Sequence, residues 1–217
     1  MTDYATARRA MVDCQIRPSD VTKFTVIDAM GRVPREKYVP DDARRVAYAG
    51  DHIEIADGRV VLDPRVLAKM LDYLDIRSDE LVLDIGCGLG YSTAVIACMS
   101  EAVVGVESDT GLADDAEATL AAQGVDNAIV ARGPLDEGAA KHGPYDVVII
   151  EGGIEQLPPT LESQIKDGGR ICAIFIDGTR GQCRVGVRGG DTIAWRYAFD
   201  SKAPVIAAFN AAQAFVF

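Results

Sequence analysis

The chain is poor in the residues that build metal centres and disulfide frameworks. It has two histidines, His52 and His142, 90 positions apart, and neither sits in a metal-ligand spacing, so a metal-free chemistry is expected. Its five cysteines (14, 87, 98, 172 and 183) are scattered, odd in number and free of any CxxC pair, which argues against a disulfide scaffold. A reducing cytoplasm is the simplest setting for them. No apolar run approaches the roughly 20 residues of a membrane-spanning helix. The opening stretch MTDYATARRAMVDCQ also lacks the unbroken apolar centre of a signal peptide. There is no internal repeat and no low-complexity segment.

Positive charge is scarce as well. Against 33 acidic side chains stand 22 basic ones, for a net charge of −11, and the imbalance is uneven. Residues 1–50 carry +2 and the remainder −13. An acidic body repels phosphate backbones and anionic lipid, so neither nucleic acid nor membrane is expected as a partner. The mildly basic N-terminal segment would suit an acidic substrate. Otherwise the composition, 48% hydrophobic and 25% charged, is that of an ordinary globular protein. The 217 residues suffice for one α/β domain with an extension.

The most informative stretch is LDIGCGLGYSTA, residues 83–94. An apolar run ends in Asp84, passes Gly86, Cys87, Gly88 and Gly90, and turns helical. A second apolar run then delivers Glu107, 21 positions after Gly86. Strand, glycine loop, helix, strand and acid make the pattern of a nucleoside-binding βαβ unit, in which the acid accepts the ribose hydroxyls. Small size explains Cys87 better than reactivity, since no base neighbours it.

Around this unit, hydrophobic periodicity predicts helices over 4–15, 20–31 and 64–75, with Pro18, Pro34 and Pro40 as breaks. From residue 80 strands are expected at 81–85, 102–106, 127–131, 145–150 and 169–176, and helices near 91–100, 110–123 and 158–166. The continuous apolar character of DVVII and ICAIFI is that of strands covered on both faces. Gly189 and Gly190 before Asp191 suit a hairpin, so CRVGVR, IAWRYAF and the closing VIAAFN and AFVF are expected to end the sheet antiparallel. The predicted fold is α/β, a doubly wound, mostly parallel Rossmann-like sheet with antiparallel C-terminal strands. Residues 1–78 read as a helical extension, and 79–217 as the cofactor-binding unit.

Dinucleotide sites use G-x-G-x-x-G, but Tyr91 stands where the third glycine would fall, which disfavours a flavin or nicotinamide. The D-x-G-x-G-x-G form resembles motif I of S-adenosyl-L-methionine-dependent methyltransferases. By that resemblance Asp84 would position the amino-acid end of the cofactor and Glu107 its ribose. Two further segments, MVDCQIRPSDVTKFTVIDAMGRVPREKYVP (11–40) and YDVVIIEGGIEQLPPTLESQIKDGGRICAIF (145–175), are similar to the protein-L-isoaspartate O-methyltransferase family. The likeness covers about residues 8–178. It implies methylation of isoaspartyl carboxylates in damaged proteins. Such an in-line displacement needs a positioned carboxylate and little acid–base help.

The chain departs from that family at three places. Its substrate loop reads Gly58-Arg59-Val60-Val61-Leu62-Asp63-Pro64, with Val60 and Leu62 where the family has hydroxyls. Losing two charge-assisted bonds of about 1.5–3 kcal/mol each would lower isoaspartyl transfer by roughly two to four orders of magnitude. Arg59, new in this loop, either clamps an acceptor carboxylate bidentately or lies at the surface against Asp57 or Asp63. Glu151 replaces a threonine after DVVII, and reads as a base or orienting acid for an amine or hydroxyl acceptor, or as a solvated turn carboxylate. In ARGPLDEG, Leu135 and Asp136 are left as candidates for the adenine contact. His52, just before the loop, reads more readily as structural than catalytic. Three functions follow: an isoaspartyl methyltransferase, a methyltransferase for another protein or small-molecule acceptor, or a non-catalytic cofactor-binding protein. The sequence sets no oligomeric state.

Overall fold

A short hairpin, β1 (Ile53–Ala56) and β2 (Arg59–Val61), precedes a seven-stranded sheet in the computed structural model, which describes residues 3–211. The sheet comprises β3 (Leu81–Ile85), β4 (Ala102–Glu107), β5 (Ala128–Arg132), β6 (Tyr145–Ile154), β7 (Ile165–Asp177), β8 (Arg180–Gly189) and β9 (Thr192–Asp200). The spatial order is β5-β4-β3-β6-β7-β8-β9. The first five are parallel, and β8 and β9 close the sheet antiparallel, as the two glycines after Arg188 predict. The chain runs outward from β3 to β5 and returns on the other side of β3 as β6. The order therefore reverses at β3 and β6, and ligands bind in open α/β sheets at the carboxyl ends of such strands.

Alternating residues send the central strands into two cores. Val82, Val147 and Ile149 point to one face, while Leu83, Ile85, Val148 and Ile150 point to the other. The first face is shared with the N-terminal helices α1 (Tyr4–Met11), α2 (Phe24–Arg32) and α3 (Pro64–Leu74), and with α4 (Tyr91–Ala97) and α5 (Thr110–Ala122). Along α3, Leu67, Ala68, Met70, Leu71 and Leu74 form the buried stripe, with Asp63 capping the first turn and Pro64 inside it. Full burial of each such leucine is worth about 1.5–3 kcal/mol. These residues bind the N-terminal segment to the sheet.

Several boundaries differ from the sequence expectation. The first helix ends at Met11 and continues as a π-helical turn, Val12–Ile16. Asp20, at φ +62°, ends the following turn, so α2 starts at Phe24. The helix expected over 158–166 shrinks to α6 (Pro159–Glu162), because β7 already pairs with Tyr145 at Ile165 and bulges before Arg170. Strand β6 runs on to Ile154, four residues past its expected end. Its extension is bound by the C-terminal segment. Gly153 N–H donates to Pro204 O (2.8 Å) and Ile206 N–H to Gly153 O (2.9 Å). VIAAFN thus makes one parallel bridge at Val205 and a 3₁₀ turn, Ala207–Phe209, in place of a strand. The expected AFVF element lies outside the described residues.

Candidate cofactor and acceptor site

At the end of β3 the chain must turn sharply away from the sheet. Gly86, Gly88 and Gly90 do so with φ of +78°, +54° and +87°, which side-chain-bearing residues rarely adopt. Gly86 and Cys87 N–H groups both donate to Val106 O, so the loop is tied to the end of β4. There Glu107 lies fully buried. Its Oε2 accepts from Gly88 N–H (2.9 Å), and its Oε1 from Ser108 N–H (2.8 Å) and Asp109 N–H (3.0 Å). Burial pushes this carboxyl up, but Arg59 and the backbone donors outweigh it and hold the group below the usual glutamate range. Cys87 faces the backbone of Gly105, and burial raises its thiol well above the ordinary value, so it is no nucleophile.

One turn earlier, Asp84 is fully buried. Its Oδ2 accepts from Ser92 Oγ (2.7 Å) and Thr93 Oγ1 (2.6 Å), two hydroxyls visible in GYST. Burial nonetheless pushes its carboxyl up to about 6, because those bonds offset the desolvation only partly. Glu151 follows Ile150, whose strand partner is Ile85, so it emerges beside the glycine loop. The solvated-turn reading of Glu151 does not hold. The extension of β6 leaves it 5% exposed. Burial first, then the charge of Asp84, raises its carboxyl well above the ordinary glutamate value. Among the described residues, Asp84 Oδ1 and Glu151 Oε1 have no partner.

Arg59 is not at the surface, and it pairs with neither Asp57 nor Asp63. The β1–β2 hairpin turns at Asp57 and Gly58 and lays the Arg59 guanidinium on Glu107, Nη1 to Oε1 at 2.9 Å and Nη2 to Oε2 at 2.6 Å. Asp63 is engaged elsewhere, as the α3 cap and the partner of Arg65 at 2.6 Å. The hairpin also covers the glycine loop. A Cβ on Gly88 would fall 2.5 Å from Ile55 Cδ1, and one on Gly86 would fall 3.3 Å from Arg59 Nη2 and 3.4 Å from Ile206 Cδ1.

The other substrate-loop residues turn inward. Leu62 has its side chain wholly in the core, and its carbonyl accepts from Arg35 Nη2 at 2.8 Å. Val60 is half-buried against the same core. His52 is a brace: its Nδ1 accepts from Asp63 N–H and its Nε2 bonds Lys202 O, both at 2.8 Å. Leu135, buried in the second core, follows Gly133, whose N–H donates to Glu107 O at 3.1 Å. Sequence reasoning missed Arg35, Ile55 and Ile206. Arg35 is signalled only by its place in VPREKYVP, and no local pattern marks Ile206.

The geometry is matched by resemblance along the chain. The family model described as Protein-L-isoaspartate(D-aspartate) O-methyltransferase (PCMT) matches residues 6–187. Protein-L-isoaspartate O-methyltransferase 1 of Rhodopseudomonas palustris (strain HaA2) is 36% identical over 170 residues, 78% of this chain and 69% of that protein. The protein-L-isoaspartate O-methyltransferase of Methanoculleus marisnigri is 36% identical over 166 residues, 76% of each chain. Among solved structures, a protein-L-isoaspartate O-methyltransferase superposes with a TM-score of 0.80 at 20% identity, over 92% of this chain and 66% of that one. A Plasmodium falciparum protein assigned to PCMT, solved in complex with S-adenosyl-L-homocysteine, gives 0.80 at 17% identity, over 96% of this chain and all of the other. These two share the fold. By sequence and architecture alike, this chain belongs to the protein-L-isoaspartate(D-aspartate) O-methyltransferase family.

Proposed function

We infer that this chain is a methyltransferase that uses S-adenosyl-L-methionine to methylate the carboxylate of isoaspartyl residues in proteins. The observation that carries the reading is Glu107, a buried carboxylate at the end of β4 bonded to the N–H of Gly88 within a loop of three left-handed glycines. The donor set fits the cofactor. Glu107 would accept the ribose hydroxyls, Asp84 would offer its unpaired Oδ1 toward the ammonium group, and a side chain at Gly86 or Gly88 would fill the cradle. Leu135, beside the β4 end, is the candidate for the adenine side. When bound, the cofactor supplies an electrophilic sulfonium methyl.

What the protein must add is position and dryness. An acceptor carboxylate is already ionised near neutral pH and needs no base. Glu151, buried beside the glycine loop with one oxygen unpaired, serves to orient the acceptor. The buried Leu62 and half-buried Val60 hold the hairpin down and keep water from the loop. The acidic body supports protein substrates over nucleic acid or membrane and suits a cytoplasmic enzyme. Among the described residues no helix is long and apolar enough to cross a membrane.

A second reading, a different acceptor, is favoured by one observation: the position where the family carries a serine holds Leu62, with its side chain in the core. Transfer of radiolabelled methyl to an isoaspartyl peptide, against its aspartyl isomer, separates the two. Labelling of the isoaspartyl peptide alone supports the first. Cofactor binding without labelling of either peptide supports the second.

A further inference from the structure

The carboxylate of Glu107 is fully subscribed. Five donors lie within 3.0 Å: two from Arg59 and one each from the N–H groups of Gly88, Ser108 and Asp109. An ionised carboxylate offers about four lone-pair sites, so no further donor can be accommodated. The three backbone donors are fixed by the glycine loop and by the turn after β4. The Arg59 pair is carried on a side chain, at the first residue of the three-residue strand β2. A ribose diol brings two O–H donors, the same number that Arg59 now supplies. The guanidinium is moreover incompletely satisfied where it sits, because its buried Nε has no partner among the described residues.

We propose that Arg59 is exchanged between two carboxylates, holding Glu107 while the cofactor site is empty and passing to the carboxylate of the methyl acceptor once the ribose diol displaces it. The proposal rests on the cofactor and acceptor reading above. It makes Arg59 the specificity residue for an anionic acceptor, taking over in this chain from hydroxyls absent at positions 60 and 62. A planar, bidentate guanidinium suits a carboxylate better than any neutral donor in the loop. Binding is then ordered. Until the cofactor frees Arg59, the acceptor meets a guanidinium already neutralised by Glu107, with Ile55 and Ile206 packed over the glycines.

Calorimetric titration tests the exchange, with S-adenosyl-L-homocysteine as cofactor probe and an isoaspartyl peptide as acceptor probe. In the unmodified protein the peptide should bind at least tenfold more tightly when S-adenosyl-L-homocysteine is present. Arg59→Ala should bind S-adenosyl-L-homocysteine at least tenfold more tightly than wild type, because nothing competes for Glu107, and should lose that cofactor-dependent gain in peptide affinity. Arg59→Lys should restore part of it. Should Arg59→Ala fail to fold, hydrogen exchange on the wild type decides. S-adenosyl-L-homocysteine should speed exchange of the amides of residues 53–61, and unchanged or slower exchange overturns the proposal. Equal cofactor affinity in wild type and Arg59→Ala, or peptide binding indifferent to cofactor, overturns the exchange and leaves the methyltransferase reading intact. Absence of S-adenosyl-L-homocysteine binding at millimolar concentration in both proteins overturns the two together.

Discussion

Arg35 reaches from the N-terminal segment to the carbonyl of Leu62, 27 residues on, at 2.8 Å. Through Nε it also donates to Ala47 O at 2.7 Å, and its guanidinium lies 4.7 Å from the centre of the Tyr91 ring. The fully buried cation is thus held by two carbonyls and an aromatic face. The loop of residues 58–64 is positioned by a residue from a different region of the chain.

Arg35→Ala leaves both carbonyls unpaired in the core, and each such loss costs about 1–3 kcal/mol. Urea denaturation should show a loss of about 4 kcal/mol, cavity included. Arg35→Lys should retain part of that stability, since a lysine reaches one carbonyl but not both.

The glycine loop is sensitive to any side chain at position 88. A Cβ there must displace Ile55 and adopt a φ of +54°. Gly88→Val should weaken S-adenosyl-L-homocysteine at least tenfold in calorimetry, while the far-ultraviolet circular dichroism stays that of the wild type. Unchanged affinity would remove the loop from the cofactor site.

Asp84 gives the fold a pH signature. Its carboxyl sits at about 6 in the folded chain, against 3.8 ordinarily, so folding favours the protonated form. Stability from this group is full below pH 3.8 and is lost as pH rises through 6. Measured against Asp84→Asn, the wild type should lose about 2 kcal/mol between pH 4 and 7 and then level off. Parallel stability curves for the two proteins over that range would contradict the assignment.

The two aliphatic replacements in the substrate loop should behave differently. Val60 is only half-buried, so Val60→Thr should keep the melting temperature within a few degrees and raise isoaspartyl transfer severalfold. Leu62 is wholly buried. Leu62→Ser should cost about 2–5 kcal/mol, as large-to-small core changes do, and an increase in transfer would be visible only well below the lowered melting temperature.

Neighbouring residues encode the part of the site that is legible in the sequence. Asp84, Gly86, Gly88 and Glu107 fall within one βαβ unit, where strand alternation, a glycine turn and a fixed spacing carry the pattern within some two dozen residues. The closing hairpin is equally local, written in Gly189 and Gly190. The boundaries that differ from expectation depend on distant partners. Glu151 becomes buried because Pro204 and Ile206 bind the end of β6, and α6 is cut short because Ile165 pairs with Tyr145.

Composition, apolar periodicity and the spacing of three glycines and one acid are therefore enough to specify a doubly wound sheet and to put the glycine loop and its acid together at the switch point, since each rests on short-range geometry. Folding settles the state of that site. Arg59 and Glu107 are 48 residues apart, and only the hairpin's packing over the glycine loop brings them to 2.6 Å. An arginine with two acidic neighbours in its own loop thereby occupies the carboxylate suited to a sugar. Long-range packing chooses between pairings that local sequence leaves open.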